Sequence, residues 1–338
     1  MSEINSFWRL GNMISSVIKF PSQLVHQGYE PKFRLTVRDC FFEYVFPDMD
    51  PEEQKGTLSV YMTTINHWET RTNNPPIAEI TNDLLRKFKK SFQLEGYSPE
   101  SIKKYWRHLR RILRRVGPPA DRNPLGEDLI DRIPYMSPPK SAPRKIPRLI
   151  TEDEMNAVYY ACKVATWPKK VESPALIWQT ALVIFYNCGP RSQDVFRRLC
   201  WLNVDLQYQR ISFVSQKRSK LQGIPFQELV GLHFEALYHG QRPEETVLQM
   251  TKCNRSLYKE WKKILNASGI REHFTFQDLR KTCNSLLNAA NPGANAGKWV
   301  LGHGGSGVNE EYYHNPGPEV IKAIENLKQP ESFWSILE

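Results

Sequence analysis

Residues 137–148 read Ser-Pro-Pro-Lys-Ser-Ala-Pro-Arg-Lys-Ile-Pro-Arg, and no other stretch limits so strongly how this chain folds. Each proline fixes φ, lacks an N–H donor, and pushes the residue before it out of the helical region. With so few apolar side chains the stretch has nothing to bury, and it reads as a semi-extended basic linker. The 338 residues also exceed the roughly 250–300 at which a single core stops growing. Two domains are therefore expected, with their boundary here. The expected order is an extension (1–33), a helical domain (34–136), the linker (137–148), a mixed α+β domain with a small antiparallel sheet (149–316), and a terminal helix and tail (317–338).

Before the linker the clearest helix runs from Pro99 to Val116, with Ser98 as N-cap, Pro99 at the first helical position and Gly117-Pro118-Pro119 as its stop. Ile102, Tyr105, Trp106, Leu109, Ile112, Leu113 and Val116 fall at helical spacing and make one apolar stripe. The other face carries Lys103, Lys104, Arg107, Arg110, Arg111, Arg114 and Arg115, with no acid between Ser101 and Val116. A merely solvated face mixes signs, so this one is expected to meet backbone phosphates. Lys140, Arg144, Lys145 and Arg148 of the linker extend the same expectation. Weaker patterns suggest helices at Phe7–Phe20, Thr36–Val45, Glu52–Thr70 and from Ile80 to about Phe92.

After the linker, Thr151-Glu152-Asp153-Glu154 caps a helix, and Ser173-Pro174 opens another that is apolar nearly all round from Ala175 to Tyr186. A short helix follows Gly189-Pro190. Arg210–Val214 and Leu221–Phe226 read as strands joined by the turn Ser215–Lys220, and helices are expected over Leu257–Ala267, Asp278–Ala290 and Pro318–Lys328.

The net charge of +10 favours a polyanionic partner, because each neutralised phosphate releases counterions. No window approaches the run of about 18 apolar residues that a membrane span needs, and Asn5, Arg9, Asn12 and Ser15 interrupt any secretory core. A soluble cytoplasmic, nucleoid-associated protein is expected. The cysteines (Cys40, Cys162, Cys188, Cys200, Cys253 and Cys283) are scattered without a CxxC pair, so free thiols are expected. No acidic or His cluster stands out as a metal site, and no cofactor is expected.

Four motifs carry chemistry: Cys188-Gly189-Pro190-Arg191-Ser192-Gln193-Asp194; the turn Ser215-Gln216-Lys217-Arg218-Ser219-Lys220 closed by Gly223-Ile224-Pro225-Phe226; Phe276-Gln277-Asp278-Leu279-Arg280-Lys281-Thr282; and Leu301-Gly302-His303-Gly304-Gly305, with Tyr312-Tyr313-His314 beyond it. Taken in order, they resemble the boxes of the tyrosine recombinase (phage integrase) family, namely Gly-x-Arg-x-x-Glu/Asp, the hairpin lysine, His-x-x-Arg, and Leu-Gly-His with a downstream tyrosine. The helical region, with its Ser98-Pro99-Glu100-Ser101-Ile102 start, resembles the family's SAM-like core-binding domain.

The resemblance implies a metal- and cofactor-independent DNA strand transferase that closes round a duplex and works as a tetramer on DNA, monomeric or weakly associated without it. Tyr312 would attack the scissile phosphate and leave a 3′-phosphotyrosyl link. Arg191 and Arg280 would clamp that phosphate, since planar bidentate guanidinium suits it. Lys217, eight residues before Pro225, would be the general acid, with Arg218 and Lys220 as near alternatives. His303 would hydrogen-bond the phosphate or assist proton transfer. Asp194 would orient the site or be a simple helix-surface acid, and His314 would bond locally. Gln277 stands where the family usually has His; it can donate a hydrogen bond but cannot titrate. The terminal cluster Phe333, Trp334, Ile336 and Leu337 would dock on its own domain or on a neighbouring protomer. The alternatives are a type IB topoisomerase-like nicking and closing enzyme, and a catalytically silent DNA-binding protein on the same scaffold.

Overall fold

The computed structural model describes residues 34–141, 143, 146–215, 220–250, 254–293, 295–301 and 317–337. The expected helix at Phe7–Phe20 lies outside them. The chain divides into two compact units, Met1–Arg144 and Lys145–Glu338.

The N-terminal unit is helical. Thr36 and Asp39 form a capping box for α1 (Val37–Cys40). The helix expected through Val45 does not stay regular: Phe41–Val45 widen into a π turn, and Phe46–Asp48, with Pro47, tighten into a 3-10 turn. α2 (Lys55–Thr72) begins later than the pattern suggests. The reason is Asp50, whose carboxylate accepts from the Glu52 and Glu53 amides at 2.9 and 3.1 Å and holds a turn there. α2 ends at Asn73, in the left-handed region at φ 58°. Thr81 caps α3 (Asn82–Leu94), and Ser98 caps α4 (Pro99–Arg115). The apolar stripe of α4 is buried as its spacing predicts, in one cluster with Phe41, Ile65, Trp68, Phe88 and Phe92. Leu109 is fully buried, so Leu109→Ala should cost about 2–5 kcal/mol of stability.

In the C-terminal unit, Thr151 and Glu154 box the start of α5 (Glu152–Ala161), and Ser173 caps α6 (Pro174–Cys188). α6 is apolar round most of its circumference because it is the core: every residue from Thr180 to Cys188 is buried. Trp178 stacks on Trp261 (centroids 5.8 Å) and Phe276 (6.4 Å). α7 (Ser192–Arg197) follows directly. β1 (Val204–Asp205), β2 (Arg210–Ser215) and β3 (Lys220–Pro225) form an antiparallel sheet in that order, with Ile211 opposite Ile224 and Ser215 opposite Lys220. β1 is too short to leave an alternating pattern.

α8 (Glu228–Leu237) is a helix that the sequence patterns do not announce. Leu229, Val230, Gly231, His233, Phe234 and Leu237 are all buried, so it has little polar face, and Gln227 makes no side-chain cap. α9 (Asn254–Ala267), α10 (Phe276–Ala290) and α11 (Ala296–Val300) complete the packing. α12 (Pro318–Glu325) stops short of Lys328. There the Gln227 amide takes over its last carbonyls, donating to Ile324, Glu325 and Leu327 at 2.5, 3.1 and 2.9 Å.

The tail, a 3-10 segment over Glu331–Leu337, lies on its own unit. Phe333 is fully buried between Tyr159 and Tyr186, with centroids 5.3 and 5.4 Å away. Asn187 and Gln329 exchange amide hydrogen bonds at 3.1 and 2.7 Å. Cys40, Cys162, Cys188 and Cys283 are buried free thiols and Cys200 is half-buried, while Cys253 lies outside the described residues. Among the described residues no helix is long and apolar enough to cross a membrane.

Candidate active site

α6 ends where Gly189 turns into the left-handed region at φ 49° and donates its N–H to Phe185. Only glycine fits. A Cβ there would come within 2.8 Å of Leu301 Cδ2 and 3.0 Å of Cys283 Sγ. This turn delivers Arg191 to the N-cap position of α7, where its carbonyl accepts from Asp194 and Val195. Asp194 then faces inward at 1% exposure. It is not the helix-surface acid that its spacing also allowed. Neither carboxylate oxygen meets a hydrogen-bond donor among the described residues. Burial pushes its pKa above the ordinary carboxylate value, against the pull of the cations Arg191, Arg198 and Arg280.

Thr275 and Asp278 box the N-terminus of α10, so the helix starts at Phe276, two residues before the expected Asp278. Gln277 falls in the exposed first turn and Arg280 one turn later on the buried side. Arg280 is 5% exposed. Its guanidinium donates to the carbonyl of Gly189, and at 2.8 Å to that of Leu301. Burial, reinforced by the Arg191 charge, brings its pKa down to about 10. One side chain thus ties the end of α6, next to Arg191, to the end of α11, next to Gly302 and His303. Carbonyls left over at helix ends are strong acceptors, which is why a buried cation is tolerable here.

The remaining predicted residues divide clearly. Lys217, His303, Tyr312 and His314 lie outside the described residues, as do Arg144 and Lys145 of the linker. The structure brings together Arg191, Asp194 and Arg280, through the electrostatic contacts above. What the motifs did not reveal is that Gly189 and Leu301 serve through their carbonyls; the Gly189-Pro190 pair signalled only a turn. Among the described residues no group of three or more His, Cys, Asp or Glu is gathered to hold a metal ion.

On α4 the cations of the N-terminal unit are also not equivalent. Lys104, Arg107, Arg110 and Arg111 are exposed. Lys104 lies over the Tyr105 ring at 5.0 Å and Arg110 over the Tyr135 ring at 5.5 Å. Lys103 bonds to Ser141, and Arg114 to the Arg122 carbonyl. Arg115 is more firmly tied. It donates to the Tyr44 carbonyl at 2.9 Å, pairs with Glu127 at 2.7 Å and approaches Asp48 at 3.8 Å. In the C-terminal unit, Arg148 likewise binds Glu154 and, at 2.5 Å, the Glu272 carbonyl. Arg115 and Arg148 hold loops of their own units in place.

Residues 148–316 match the phage integrase family, and residues 40–115 match the phage integrase SAM-like domain. A solved structure of the Tn1549 transposon integrase in complex with transposon right end DNA superposes with a TM-score of 0.58 at 14% identity, over 86% of this chain and 98% of that one. A lambda integrase dimer bound to a COC′ core site gives 0.59 at 16% identity over 91% and 87%. A lambda integrase tetramer bound to a Holliday junction gives 0.59 at 15% identity over 90% and 87%. At these identities the likeness is one of fold. No curated protein sequence matches.

Proposed function

The chain belongs to the phage integrase family, with a helical SAM-like domain and an α+β domain carrying a small antiparallel sheet, and from that premise we propose that it cuts and rejoins DNA at specific sites through a 3′-phosphotyrosyl intermediate. The observation that carries this reading is Arg280, whose guanidinium joins the segment before Arg191 to the segment before His303. Two arginines, brought near each other despite like charge, make a receptor for a dianionic phosphorane rather than a packing device.

In this reading the Tyr312 phenolate oxygen attacks phosphorus, and the P–O bond to the 5′ carbon breaks. Lys217 gives the leaving 5′ oxygen its proton. A phenol has a free pKa of about 10 and is a weak nucleophile when neutral, so nearby cations must favour its phenolate. Arg191 and Arg280 hold the non-bridging oxygens and His303 adds a hydrogen bond. Gln277, on the exposed first turn of α10, donates through its amide where a titrating group is usual. Attack by the 5′ hydroxyl of another strand reverses the step, returns the proton and releases Tyr312. The exposed arginines of α4 hold the duplex by its backbone. Four copies assemble on DNA, as the lambda integrase structure does on a Holliday junction, in the cytoplasm.

A nicked duplex carrying repeats from the DNA that flanks the coding sequence tests this directly. The nick lets the cut fragment diffuse away and traps the covalent adduct. Wild type should give a protein–DNA adduct and Tyr312→Phe none. Adduct formation by Tyr312→Phe would sink the proposal, and binding without any adduct would favour the silent scaffold. Relaxation of a supercoiled plasmid lacking the repeats would favour the topoisomerase-like activity.

A further inference from the structure

The N-terminal unit contains a cavity of about 540 Å³ lined by α2, α4 and the loop after α4. Its wall carries six arginines against one carboxylate, Asp48, which lies 3.8 Å from Arg115. Arg114 and Arg115 are held by the Arg122 and Tyr44 carbonyls and by Glu127. Arg107, Arg110 and Arg111 line the cavity as exposed side chains and make no hydrogen bond or ion pair among the described residues, though Arg110 also lies over the Tyr135 ring.

Tyr61 of α2 is the second, independent feature. It lines the same cavity yet is only 3% exposed, its ring packed on Phe41 (centroids 4.8 Å) and His108 (4.6 Å). Its hydroxyl makes no hydrogen bond among the described residues. The ring is buried but the oxygen is not sealed off, so the hydroxyl is open to donate to a molecule in the cavity. Burial also pushes its pKa upward, with Arg111 pulling the other way, so at neutral pH it is an O–H donor. His108 adds no charge of its own, because burial and the neighbouring Arg107, Lys104 and Arg111 hold its pKa below the ordinary value. Exposed cations and a neutral O–H donor on one cavity wall suit an anion with several acceptor oxygens.

We propose that this cavity binds a phosphate group, with the Tyr61 hydroxyl donating to one oxygen and Arg107, Arg110 and Arg111 supplying the charge, and that the phosphate is one of a DNA backbone. The assignment of its source rests on the DNA-binding reading above. It gives α4 a fixed register on the duplex, because one phosphate must enter the cavity while the others pass along an open face.

The test uses the full chain with two probes, a DNA duplex and inorganic pyrophosphate. Tyr61→Phe removes only the hydroxyl and keeps the ring packing; Arg111→Gln alters an exposed side chain, and melting temperatures check both folds. Tyr61→Phe should weaken duplex binding about 10-fold without changing its salt dependence, since no charge is lost. Arg111→Gln should weaken it and lower the slope of log K against log salt by about 0.9. If pyrophosphate binds and both variants lose it while duplex binding is untouched, the source is a free phosphate compound and the DNA assignment is overturned. If both variants bind both probes as wild type does, or neither probe is bound, the site is overturned. If wild type binds no duplex, the DNA-binding reading fails on its own, and pyrophosphate alone decides whether the cavity is a phosphate site.

Discussion

On α4, Arg107, Arg110 and Arg111 stand in solvent without ion-pair partners among the described residues, whereas Arg280 of α10 is 5% exposed and fixed on two carbonyls. Exposed cations are screened by salt and held loosely; each adds counterion release and little geometry. A buried guanidinium is worth more per charge because the surroundings do not screen it, but it must be hydrogen-bonded or it destabilises the fold. In the proposed function the same residue type would thus serve affinity in one unit and placement in the other. Arg115 shows a third use, as a staple between Tyr44 and Glu127. Sequence position does not separate these uses; burial and partners do.

That contrast predicts a graded set of outcomes. The largest belongs to Arg280→Lys. A single ammonium cannot reach both Gly189 and Leu301 while facing a phosphate, so adduct formation should fall by about 10²–10³-fold. Duplex affinity, measured by titration, should stay within about threefold because the charge is kept. Next is the double change Arg107→Gln with Arg110→Gln, which should weaken duplex binding by roughly tenfold or more and reduce the salt slope by about 1.8. Adduct formation at saturating DNA should hardly change. If it fell as far as for Arg280→Lys, the division between affinity and placement would be broken.

Asp194→Asn sharpens the contrast within the C-terminal unit. Its folded pKa is raised, so its contribution to stability is present below its unfolded pKa of about 3.9 and is lost as pH rises through the folded value. At neutral pH the buried charge is therefore a cost. The melting temperature of Asp194→Asn should hold or rise, while adduct formation drops about tenfold through poorer orientation of Arg191 and Arg280. A fall of several degrees instead would make Asp194 a structural anchor. Smallest for function is Arg115→Ala. It should destabilise the N-terminal unit by about 1–3 kcal/mol in chemical denaturation yet leave the salt slope of DNA binding unchanged.

How legible each unit is in the sequence follows the same contrast. α4 was readable in full, cap, stripe and stop, because a surface helix displays its environment in its period. α8 was not, since a helix buried on most sides has too little polar face to set a period. The start of α2 was misplaced because the Asp50 side chain carries the turn on past Pro51, by accepting from the Glu52 and Glu53 amides. At the site, the order of the motifs picked out Arg191, Asp194 and Arg280. It did not reveal that Arg280 is placed by two carbonyls distant in sequence, because backbone acceptors carry no residue code. Nor did it show that Asp194 is buried without a hydrogen-bonding partner among the described residues, which depends on how α7 leaves Gly189. Gln277 was legible as a departure, and the structure places it exposed on the first turn of α10.

The central claim is the identity of the nucleophile, and locating the DNA–protein bond tests it most directly. The adduct from a nicked duplex would be digested with protease and nuclease, and the nucleotide-bearing peptide sequenced by tandem mass spectrometry. A phosphodiester on the side-chain oxygen of Tyr312 is the expected result. A nucleotide on Tyr313, or on any other residue, would contradict it.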